Sequence, residues 1–313
     1  MAGPSERPIL ITGSHGFTGR SLAASLRRAG HQVVSLEDAT GTFVDLRDRD
    51  QVDLAIRTLK PGLVYHLAGI ATNLHPDPGQ IYAVNVVGTA NLLASLKALD
   101  PRPHGIILAS SATVYASPGL SGCLDETSPL LPPHHYGSSK LAAEDVARHF
   151  SRDLPILVVR PFNYTGPGQS DDFVVAKLVQ HFARRAPVIR MGNLEIARDF
   201  SAVETVVEIY RRLGQLSPVR GLVNIASGRA ISLRVIIETL ERISGHRILI
   251  ETDPRFVRPD ECVTLFGSTE RLTQLIGPIS HPPFSDVLAA MLRYEEARLD
   301  EETRQRSTSS ASP

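Results

Sequence analysis

The stretch that decides the fold is PILITGSHGFTG, which covers residues 8–19. Its first part, Pro8–Thr12, is a short apolar run typical of a buried strand, and Phe17–Ala29 then carries apolar residues at helical spacing. The G-x-x-G-x-x-G turn between them lets the backbone approach a pyrophosphate, and the helix N-terminus adds free N–H groups and a positive dipole end. The pattern predicts a dinucleotide-binding turn with the contact residues Gly13, His15, Gly16, Phe17, Thr18 and Gly19.

Short apolar runs alternate with longer amphipathic runs through the first half of the chain. Leu63–Leu67, Gly105–Ala109 and Ile156–Arg160 have the composition of buried strands, whereas Gln80–Leu99 and Tyr136–Phe150 have helical spacing. Parallel neighbours in a sheet need helical crossovers between them. The alternation therefore predicts an α/β fold with a doubly wound parallel sheet of the Rossmann type.

The pattern becomes less regular after Pro161, which indicates a smaller C-terminal lobe that binds the substrate. We predict that residues 1–165 form the dinucleotide-binding domain and that a segment at about 195–226 returns to it. Residues 166–194 and 227–300 are assigned to the smaller lobe. Residues 301–313 are rich in Ser and Thr and are predicted to form a disordered tail.

Composition and charge exclude several classes of partner. The chain has 33 basic and 33 acidic residues, so it has no long-range attraction for nucleic acid or anionic membranes. No apolar run approaches the roughly 20 residues that span a bilayer, and the N-terminus lacks the apolar run of a signal peptide. The two cysteines have no metal-ligand spacing. These features predict a cytoplasmic protein without a metal site.

Two carboxylates end the second predicted strand, in the run Leu36-Glu37-Asp38. A carboxylate about 20 residues beyond the glycine loop can bind the adenosine ribose hydroxyls and would repel a 2′-phosphate. Glu37 is the better placed of the two, and we predict that it favours NAD(H). Arg20 follows the last glycine of the loop and leaves NADP(H) open.

Tyr136 and Lys140 form a Y-x-x-x-K pair, in which residues four apart share one helix face. A lysine so placed can hold the nicotinamide ribose, and its charge favours the tyrosinate form of a nearby tyrosine. The tyrosine can then act as general acid or base toward an alcohol or carbonyl. Ser111 follows the strand that ends at Ala109, at the carboxyl end of the sheet, and is predicted to bind the substrate oxygen.

Together these motifs resemble those of the extended short-chain dehydrogenase/reductases, a family of NAD-dependent epimerases and dehydratases that act on nucleotide-diphosphate sugars. The resemblance covers roughly residues 9–292. It implies that Asp45 and Leu46 contact the adenine edge and that Asn85 is a structural asparagine. It also implies that a loop under the nicotinamide side of the cofactor is formed by Leu67, Ala68 and Gly69.

The second half of the chain is most similar to the GDP-sugar branch of this family, the GDP-4-keto-6-deoxy-mannose reductases. The similarity lies in NYTGPGQ at 163–169, GNLE at 192–195, RDF at 198–200 and RPD at 258–260. It implies that two arginines hold the diphosphate or nucleotide, work that suits the bidentate guanidinium fork. The implied substrate contacts are Asn163, Phe173, Lys177, Asn193, Arg198 and Arg258.

The residues after Ser111 bear on the reaction. Dehydratases of this family carry an acidic residue just after the catalytic Ser or Thr, but this chain has Ala112 and Thr113 there. The resemblance thus disfavours 4,6-dehydration and leaves two enzymatic interpretations. One is NAD(P)H-dependent reduction of a 4-keto sugar, namely GDP-4-keto-6-deoxy-D-mannose to GDP-D-rhamnose, which the second-half motifs favour. The other is NAD-dependent 4-epimerisation of a nucleotide sugar.

A non-catalytic dinucleotide sensor is the third interpretation, and the complete set of Ser111, Tyr136 and Lys140 argues against it. Many relatives pair through two long helices from each subunit, so the resemblance also implies a homodimer. His134 and His135 immediately precede the tyrosine. We expect both histidines to face water rather than the substrate.

Overall fold

The computed structural model describes residues 7–38, 40–71, 75–115, 121–254 and 262–309. Its strands are β1 (Ile9–Thr12), β2 (Val33–Ser35), β3 (Leu63–His66), β4 (Gly105–Ala109), β5 (Gly122–Leu124), β6 (Ile156–Pro161), β7 (Asn163–Thr165), β8 (Val188–Met191), β9 (Ala197–Ala202), β10 (Gly221–Ile225), β11 (Ala230–Ser232), β12 (Leu249–Thr252) and β13 (Thr264–Gly267). Its α-helices are α1 (Phe17–Arg28), α2 (Arg49–Leu59), α3 (Pro78–Tyr82), α4 (Gly88–Lys97), α5 (His135–Phe150), α6 (Val174–Ala183), α7 (Val203–Gln215), α8 (Leu233–Ser244), α9 (Glu270–Ile276) and α10 (Phe284–Ser309).

Six strands form the larger sheet, in the order β2-β1-β3-β4-β6-β10. Every neighbouring pair in it is parallel. The chain passes from β1 to β2 on one side and returns to β3 on the other, so the strand order reverses between β1 and β3. This arrangement confirms the predicted α/β fold with a doubly wound parallel sheet. Ligands of such sheets bind outside the carboxyl ends of the strands at the reversal, where the glycine loop lies.

Two apolar cores cover the two faces of the larger sheet. Helices α1, α7 and α9 pack on one face, where Tyr65 and Tyr210 are fully enclosed. Helices α2, α4 and α5 pack on the other, around Leu93 and Ile106. Burial of each large apolar side chain contributes about 1.5–3 kcal/mol to the free energy of folding. The sheet is therefore a rigid support for the loops at its edge.

The smaller lobe is assembled from segments that alternate in sequence with those of the larger sheet. Strands β11, β9, β13 and β5 lie side by side, and β7 pairs with β9. Helices α6, α8 and α10 enclose a separate core around Phe182 and Leu240. Strands β5 and β9 fall within the ranges predicted for the dinucleotide-binding domain, yet both pair in the smaller sheet. The return to the larger sheet begins only where β9 ends and α7 starts, at Val203.

Helix α10 continues to Ser309 and corrects the prediction of a disordered tail from residue 301 up to that point. Arg298 accounts for part of the difference, because it pairs with Glu295 three residues before it and Glu302 four residues after it. Ion pairs between residues three or four apart stabilise an exposed helix. The last predicted tail residues, 310–313, lie outside the described residues.

The described residues contain neither a membrane-crossing helix nor a metal cluster. None of their helices combines the length and the apolar character that a bilayer demands. No group of three or more His, Cys, Asp or Glu side chains among them is arranged to hold a metal ion. Cys123 and Cys262 are both free thiols.

Candidate active site

The glycine loop packs too tightly for a side chain at two of its glycines. Gly13 has a φ of +71°, and a Cβ there would lie 2.8 Å from the backbone nitrogen of Ala68. A Cβ at Gly19 would collide with the carbonyl oxygen of Gly13. Helix α1 begins after Gly16, which has no side chain with which to cap the first turn. The loop is therefore a close cradle at a helix N-terminus, which fits the pyrophosphate of a dinucleotide.

A cavity of about 550 Å³ opens beside this loop and extends to the smaller lobe. The loop forms one wall, the ends of β4 and β6 form the floor, and β7 with the start of α6 forms the far wall. The structure thus brings together residues that are far apart in sequence. The predicted site residues that line the cavity are Gly13, Gly16, Phe17, Thr18, Gly19, Leu67, Gly69, Ser111, Tyr136, Lys140, Asn163 and Phe173.

Glu37 and Asp38 have different surroundings at the end of β2. The Asp38 carboxylate closes its own turn, accepting hydrogen bonds from the Thr40 hydroxyl at 2.7 Å and the Thr42 N–H at 3.0 Å. These bonds, that of the Thr40 hydroxyl above all, hold the pKa of Asp38 below its ordinary value. Glu37 instead forms a backbone bridge to Phe43 and has a partly exposed side chain. The turn occupies Asp38 and leaves Glu37 as the candidate ribose ligand.

Four further predicted cofactor residues lie outside the lining of the cavity. Asp45 forms an ion pair with Arg47 at 2.6 Å on the surface. Leu46 is buried in the core beneath the helices, and His15 is exposed on the outer side of the glycine loop. Ala68 lies under that loop and contributes its backbone. The adenine contacts of Asp45 and Leu46 stay predictions.

Tyr136 lies in the first turn of α5 and faces the cavity. Burial raises its pKa to about 12, against the opposing effect of a hydrogen bond with Ser111. The sequence predicts that the charge of Lys140 favours the tyrosinate form, but in this structure burial has the largest effect on the pKa of Tyr136 and favours the neutral phenol. The phenol is therefore protonated at neutral pH, which suits a proton donor.

Ser111 begins a short 3-10 turn, Ala112–Val114, directly after β4. Its Oγ accepts hydrogen bonds from the backbone N–H of Thr113 at 3.2 Å and from the Thr113 hydroxyl at 3.0 Å. Because a hydroxyl has one proton and two lone pairs, these bonds leave the Ser111 proton to donate. Ser111 and Tyr136 can then serve one substrate oxygen between them.

Lys140 lies one helical turn beyond Tyr136 and is only 7% exposed. Its Nζ donates a hydrogen bond to the carbonyl oxygen of Ala109 at 2.9 Å. Burial lowers the pKa of Lys140 to about 8, and the nearby Glu144 acts in the opposite direction. A Cβ at Gly69 would lie 3.2 Å from Nζ, so the ammonium sits between the end of β4 and the loop after β3.

A buried ion pair that the sequence reasoning missed lies behind Lys140. Glu144 accepts hydrogen bonds from Arg160 Nε at 2.8 Å and Nη2 at 2.6 Å, and from the Ser110 hydroxyl at 2.5 Å. The Arg160 guanidinium lies 4.7 Å from the ring centre of Tyr115. Spacing offered one signal, because Glu144 follows Lys140 by four residues and so shares its helix face. The pair anchors α5 to β4 and β6, the strands that form the cavity floor.

Asn85 joins the loop after β3 to α5. Its Oδ1 accepts from the backbone N–H of Ile70 at 2.8 Å, while its Nδ2 donates to the Ile70 carbonyl at 3.1 Å and to the Ser139 hydroxyl at 2.9 Å. The sequence predicts one continuous helix over this region, whereas the structure has a π-helical turn at Ala83–Val87 between α3 and α4. Single π turns occur often at functional sites. Here the turn contains Asn85, which is only 2% exposed and acts as a structural anchor.

Asn163 and Phe173 line the far end of the cavity. Asn163 Nδ2 donates a weak hydrogen bond of 3.3 Å to the carbonyl oxygen of Asp199. Helix α6 begins at Val174, and Phe173 is its N-cap residue. The Phe173 side chain is 41% exposed at the mouth of the cavity, where an aromatic ring can pack against a ligand.

Three of the remaining predicted substrate residues lie within the described part of the chain but do not line the cavity. Lys177 lies one turn into α6 and is partly buried, and the exposed Asn193 accepts a local backbone hydrogen bond of 2.9 Å. Arg198 donates to the carbonyl oxygen of Ala197 at 2.9 Å. Arg258 lies outside the described residues. The contacts of these four side chains with a diphosphate stay predictions.

His134 lines the cavity, which corrects the expectation that it faces water. Its Nδ1 accepts a hydrogen bond from the backbone N–H of Gly137 at 3.1 Å, so the residue is the N-cap of α5 and turns inward. Its ring lies nearly parallel to that of Tyr136, with centroids 6.1 Å apart. His135, one position further on, is exposed.

Tyr164 connects the glycine loop to the smaller lobe, a role that the sequence did not reveal. Its hydroxyl lies 2.8 Å from the hydroxyl of Thr18, and its ring stacks on Phe17 with centroids 6.2 Å apart. Burial raises the pKa of Tyr164. The two lobes therefore meet at the proposed phosphate-binding loop.

This geometry agrees with a comparison against known families. Residues 9–226 match the NAD dependent epimerase/dehydratase family, and the chain belongs to that family. The membership confirms the predicted resemblance and the predicted class of cofactor, a nicotinamide dinucleotide.

Individual relatives are similar along most of the chain. A GDP-6-deoxy-D-talose 4-dehydrogenase of Aggregatibacter actinomycetemcomitans is 32% identical over 86% of this chain and 91% of its own. A GDP-6-deoxy-D-mannose reductase of Pseudomonas aeruginosa is 32% identical over 94% and 99%. The solved structure of RMD from Pseudomonas aeruginosa, complexed with NADPH, superposes with a TM-score of 0.83 at 30% identity, over 93% and 99%. A UDP-glucose 4-epimerase of Oryza sativa subsp. japonica is 27% identical over 86% and 85%.

Proposed function

We propose that the protein is a cytoplasmic NAD(P)H-dependent 4-keto-reductase of a nucleotide-diphosphate 6-deoxy sugar. The observation that carries the proposal is the placement of the Tyr136 phenol and the Ser111 hydroxyl together in the cavity beside the glycine loop, where burial raises the pKa of Tyr136. None of the described residues that line this cavity is Asp or Glu. A pair of hydroxyl donors without a carboxylate base fits the reduction of a carbonyl better than the elimination of water.

The residues divide the work of such a reduction among them. Bound NAD(P)H would supply the hydride to the carbonyl carbon, with its pyrophosphate held at the glycine loop and its ribose at Lys140. Tyr136 donates its phenolic proton to the carbonyl oxygen, so the C=O bond becomes C–OH. Ser111 donates a hydrogen bond to the same oxygen while negative charge develops there. The Lys140 ammonium stabilises the tyrosinate that remains, which regains its proton from solvent.

For the substrate we propose GDP-4-keto-6-deoxy-D-mannose and for the product GDP-D-rhamnose. Two relatives at 32% identity carry names of GDP-6-deoxyhexose enzymes. D-talose and D-mannose differ in configuration at C4, the carbon that is reduced. The mannose-configured product is our choice because that relative matches 94% of this chain. Asn163 and Phe173 would contact the substrate in the cavity, and Lys177, Asn193, Arg198 and Arg258 would hold its diphosphate and nucleotide.

Glu37 supports a preference for NADH over NADPH. Glu37 lies two residues beyond the end of β2, and its backbone bridges to Phe43 across the turn that Asp38 closes. A carboxylate at this position accepts hydrogen bonds from ribose hydroxyls and repels a 2′-phosphate. The preference is measured as the ratio of kcat/KM for the two cofactors.

The decisive experiment supplies purified protein with GDP-4-keto-6-deoxy-D-mannose and NADH or NADPH. We expect stoichiometric loss of nicotinamide absorbance, and a product whose NMR spectrum shows the D-rhamnose configuration at C4. A product with the talose configuration at C4 would support the proposed reduction but with the opposite stereochemistry. The Tyr136→Phe variant is the control, because it shows whether the measured turnover depends on the phenol at this site.

The second candidate is a nucleotide-sugar 4-epimerase with tightly held NAD. The similarity to a UDP-glucose 4-epimerase at 27% identity favours it. Its first step removes a proton from an alcohol, for which the pKa of about 12 at Tyr136 is unsuited until a ligand lowers it. If absorbance stays constant while a nucleotide sugar isomerises, this candidate replaces the reductase.

We also propose a homodimer formed through the α3–α4 segment and α5. Val87 lies on this segment and is 50% exposed, which is high for a valine within a long helical segment. We expect light scattering to give twice the chain mass of 34.0 kDa. Val87→Glu should then yield monomers, whereas Leu54→Glu, at a 68% exposed position of α2, should not. A monomeric mass for the unaltered protein would refute the dimer.

A further inference from the structure

His66 is a buried histidine at the end of β3, and the proposed reaction gives it no role. It is only 3% exposed, and both of its ring nitrogens have partners. Nδ1 lies 2.7 Å from the hydroxyl of Thr12 at the end of β1, and Nε2 lies 2.9 Å from the hydroxyl of Thr89 on α4. The imidazole therefore joins a neighbouring strand to a helix at the edge of the sheet where the glycine loop lies.

These partners leave only one arrangement of protons on the ring. Burial lowers the pKa of His66 to about 3, so the imidazole is neutral at neutral pH. Thr89 donates its hydroxyl proton to the carbonyl oxygen of Asn85 at 2.6 Å, because a carbonyl can only accept. Thr89 must then accept from Nε2, so the ring proton is on Nε2 and Nδ1 accepts the proton of Thr12. The oxygen of Thr12 in turn accepts the backbone N–H of Ala68 at 3.2 Å.

This chain of hydrogen bonds holds the loop that follows β3, residues 67–70, which we call the β3 loop. The Ala68 N–H is bound at one end of the chain. Asn85, whose carbonyl is at the other end, binds the N–H of Ile70 at 2.8 Å and the Ile70 carbonyl at 3.1 Å with its side chain. Between them Gly69 lines the cavity, and a Cβ on it would lie 2.8 Å from Asn85 Oδ1. The position of the β3 loop at the cavity is therefore fixed from both sides.

The order of the strands indicates which part of the cofactor lies over this loop. Strand β3 lies between β1 and β4 in the larger sheet. The glycine loop, which fits a pyrophosphate, follows β1, and Ser111 follows β4. A dinucleotide that reaches from one to the other must lay its nicotinamide riboside across the end of β3. The β3 loop is therefore the support for the nicotinamide half of the cofactor.

We propose that His66 is a positioning residue for the nicotinamide half of the cofactor. By accepting from Thr12 and donating to Thr89, its imidazole gives the chain of hydrogen bonds one direction and holds the β3 loop where the nicotinamide riboside rests on it. His66 acts through Ala68 rather than by contact with the cofactor. The inference rests on the cofactor placement in the proposed function and is independent of which sugar is converted.

The affinities for NADH and for ADP separate this role from a general structural one. ADP has the adenosine and diphosphate of the cofactor but lacks the nicotinamide riboside. We expect His66→Phe, which keeps a ring without its nitrogens, to weaken NADH binding by a factor of about three to ten, the value of one hydrogen bond. The dissociation constant of ADP should stay unchanged. Calorimetry on the full chain measures both, and equal weakening of both ligands, or of neither, would overturn the proposal.

Tyr65→Phe is the matched control on the same strand. The Tyr65 hydroxyl donates to the carbonyl oxygen of Tyr210 at 3.2 Å and is fully buried, but alternation along β3 puts it on the opposite face of the sheet from His66. Loss of this hydrogen bond should lower the Tm and leave both dissociation constants unchanged. If Tyr65→Phe weakens NADH relative to ADP as His66→Phe does, the effect is a general structural one and the proposal fails.

Two further measurements test the chain even if His66→Phe does not fold. Thr12→Val keeps the branched shape of the side chain and removes the hydroxyl between His66 and Ala68, so it should show the same selective loss of NADH affinity. Nitrogen-15 NMR of the histidine-labelled wild type identifies the tautomer of His66, whose signal is assigned by its change in Thr12→Val. We expect the proton on Nε2. Unchanged NADH affinity in Thr12→Val, or a proton on Nδ1, would contradict the proposal.

These measurements also distinguish failure of the positioning role from failure of the proposed reaction. If NADH binding depends on His66 as expected but the 4-keto sugar is not reduced, the role of His66 stands and only the reaction is refuted. If the wild type binds neither NADH nor ADP, the cofactor placement is wrong and the role of His66 is refuted with it.

Discussion

Glu144 should set the pH range over which Lys140 is charged. The two side chains are one turn apart on α5, and Glu144 raises the pKa of the buried lysine. Glu144 also holds Arg160 and Ser110, so the carboxylate is fixed in position. Glu144→Gln retains the shape of the side chain and removes its charge, but its amide has only one oxygen left to accept from Arg160 and Ser110. We expect the pKa of Lys140 to fall below its present value of about 8.

The size of the effect follows from the geometry. Residues four apart on a helix have Cβ atoms roughly 6 Å apart, and two unit charges at that distance interact by about 3 kcal/mol at an effective dielectric constant of ~20. Arg160 keeps its charge in both proteins, so its effect on Lys140 does not change. Loss of about 3 kcal/mol therefore lowers the pKa of Lys140 by about two. Loss of the buried pair with Arg160 should also cost about 3 kcal/mol of stability.

The assay can observe the lysine directly, because the chain has only four lysines. Lysine labelled with carbon-13 at Cε gives one NMR signal per residue, and each is titrated with pH. In the variant, the Lys140 signal should titrate at lower pH than in the wild type. The basic limb of kcat/KM should move the same way, since neutral lysine no longer stabilises tyrosinate. Glu208→Gln is the matched control, because Glu208 is likewise paired with arginine, here Arg211 and Arg212, but lies on α7.

An unchanged or raised pKa for Lys140 in Glu144→Gln would refute the reasoning. It would mean that the charge of Glu144 is screened from Lys140 far more strongly than an effective dielectric constant of ~20 allows. If Glu208→Gln lowers the pKa of Lys140 as much as Glu144→Gln does, the shift reflects the net charge of the protein rather than the position of Glu144.

Three other substitutions test the rest of the candidate active site. Tyr136→Phe should lower kcat by about 10²–10⁴-fold and leave the dissociation constant for NADH unchanged; retained turnover would remove Tyr136 from the proton-transfer step. Gly19→Ala should weaken NADH binding at least about tenfold, measured by nicotinamide fluorescence, because the new Cβ collides with a loop carbonyl. Gly30→Ala is its control: φ is +86° and space is open, so it should cost about 1 kcal/mol in thermal unfolding and leave NADH binding intact. Glu37→Gln should raise the ratio of kcat/KM for NADPH over NADH by about tenfold, equivalent to ~1.4 kcal/mol of relieved repulsion; an unchanged ratio would argue against Glu37 as the discriminating group.

The parts of the site that follow local rules could be predicted from the sequence. The glycine loop is recognisable because its spacing serves a single backbone path between a strand and a helix. Tyr136 and Lys140 are recognisable because helical periodicity puts residues four apart on one face. Ser111 follows from its position after a predicted strand, since strand ends meet at one edge of a parallel sheet.

Other parts depend on contacts between distant segments, which periodicity does not encode. Arg160 and Glu144 look like ordinary charged residues until β6 and α5 are packed together. Tyr164 has a role only because β7 passes over the glycine loop. His134 was expected to face water, because nothing in a histidine before a tyrosine reveals an inward-turned helix cap.

The interleaving of the two lobes limits how this enzyme can be re-engineered. The smaller sheet takes β5 from before α5 and β7 from directly after β6. A single crossover after residue 165 would therefore graft a relative's β9 and β13 onto this chain's own β5 and β7. The smaller lobe, and with it the substrate range, cannot be transferred between relatives as one continuous segment of sequence. Recombination among relatives has to replace three separated stretches together or preserve the strand contacts that join them.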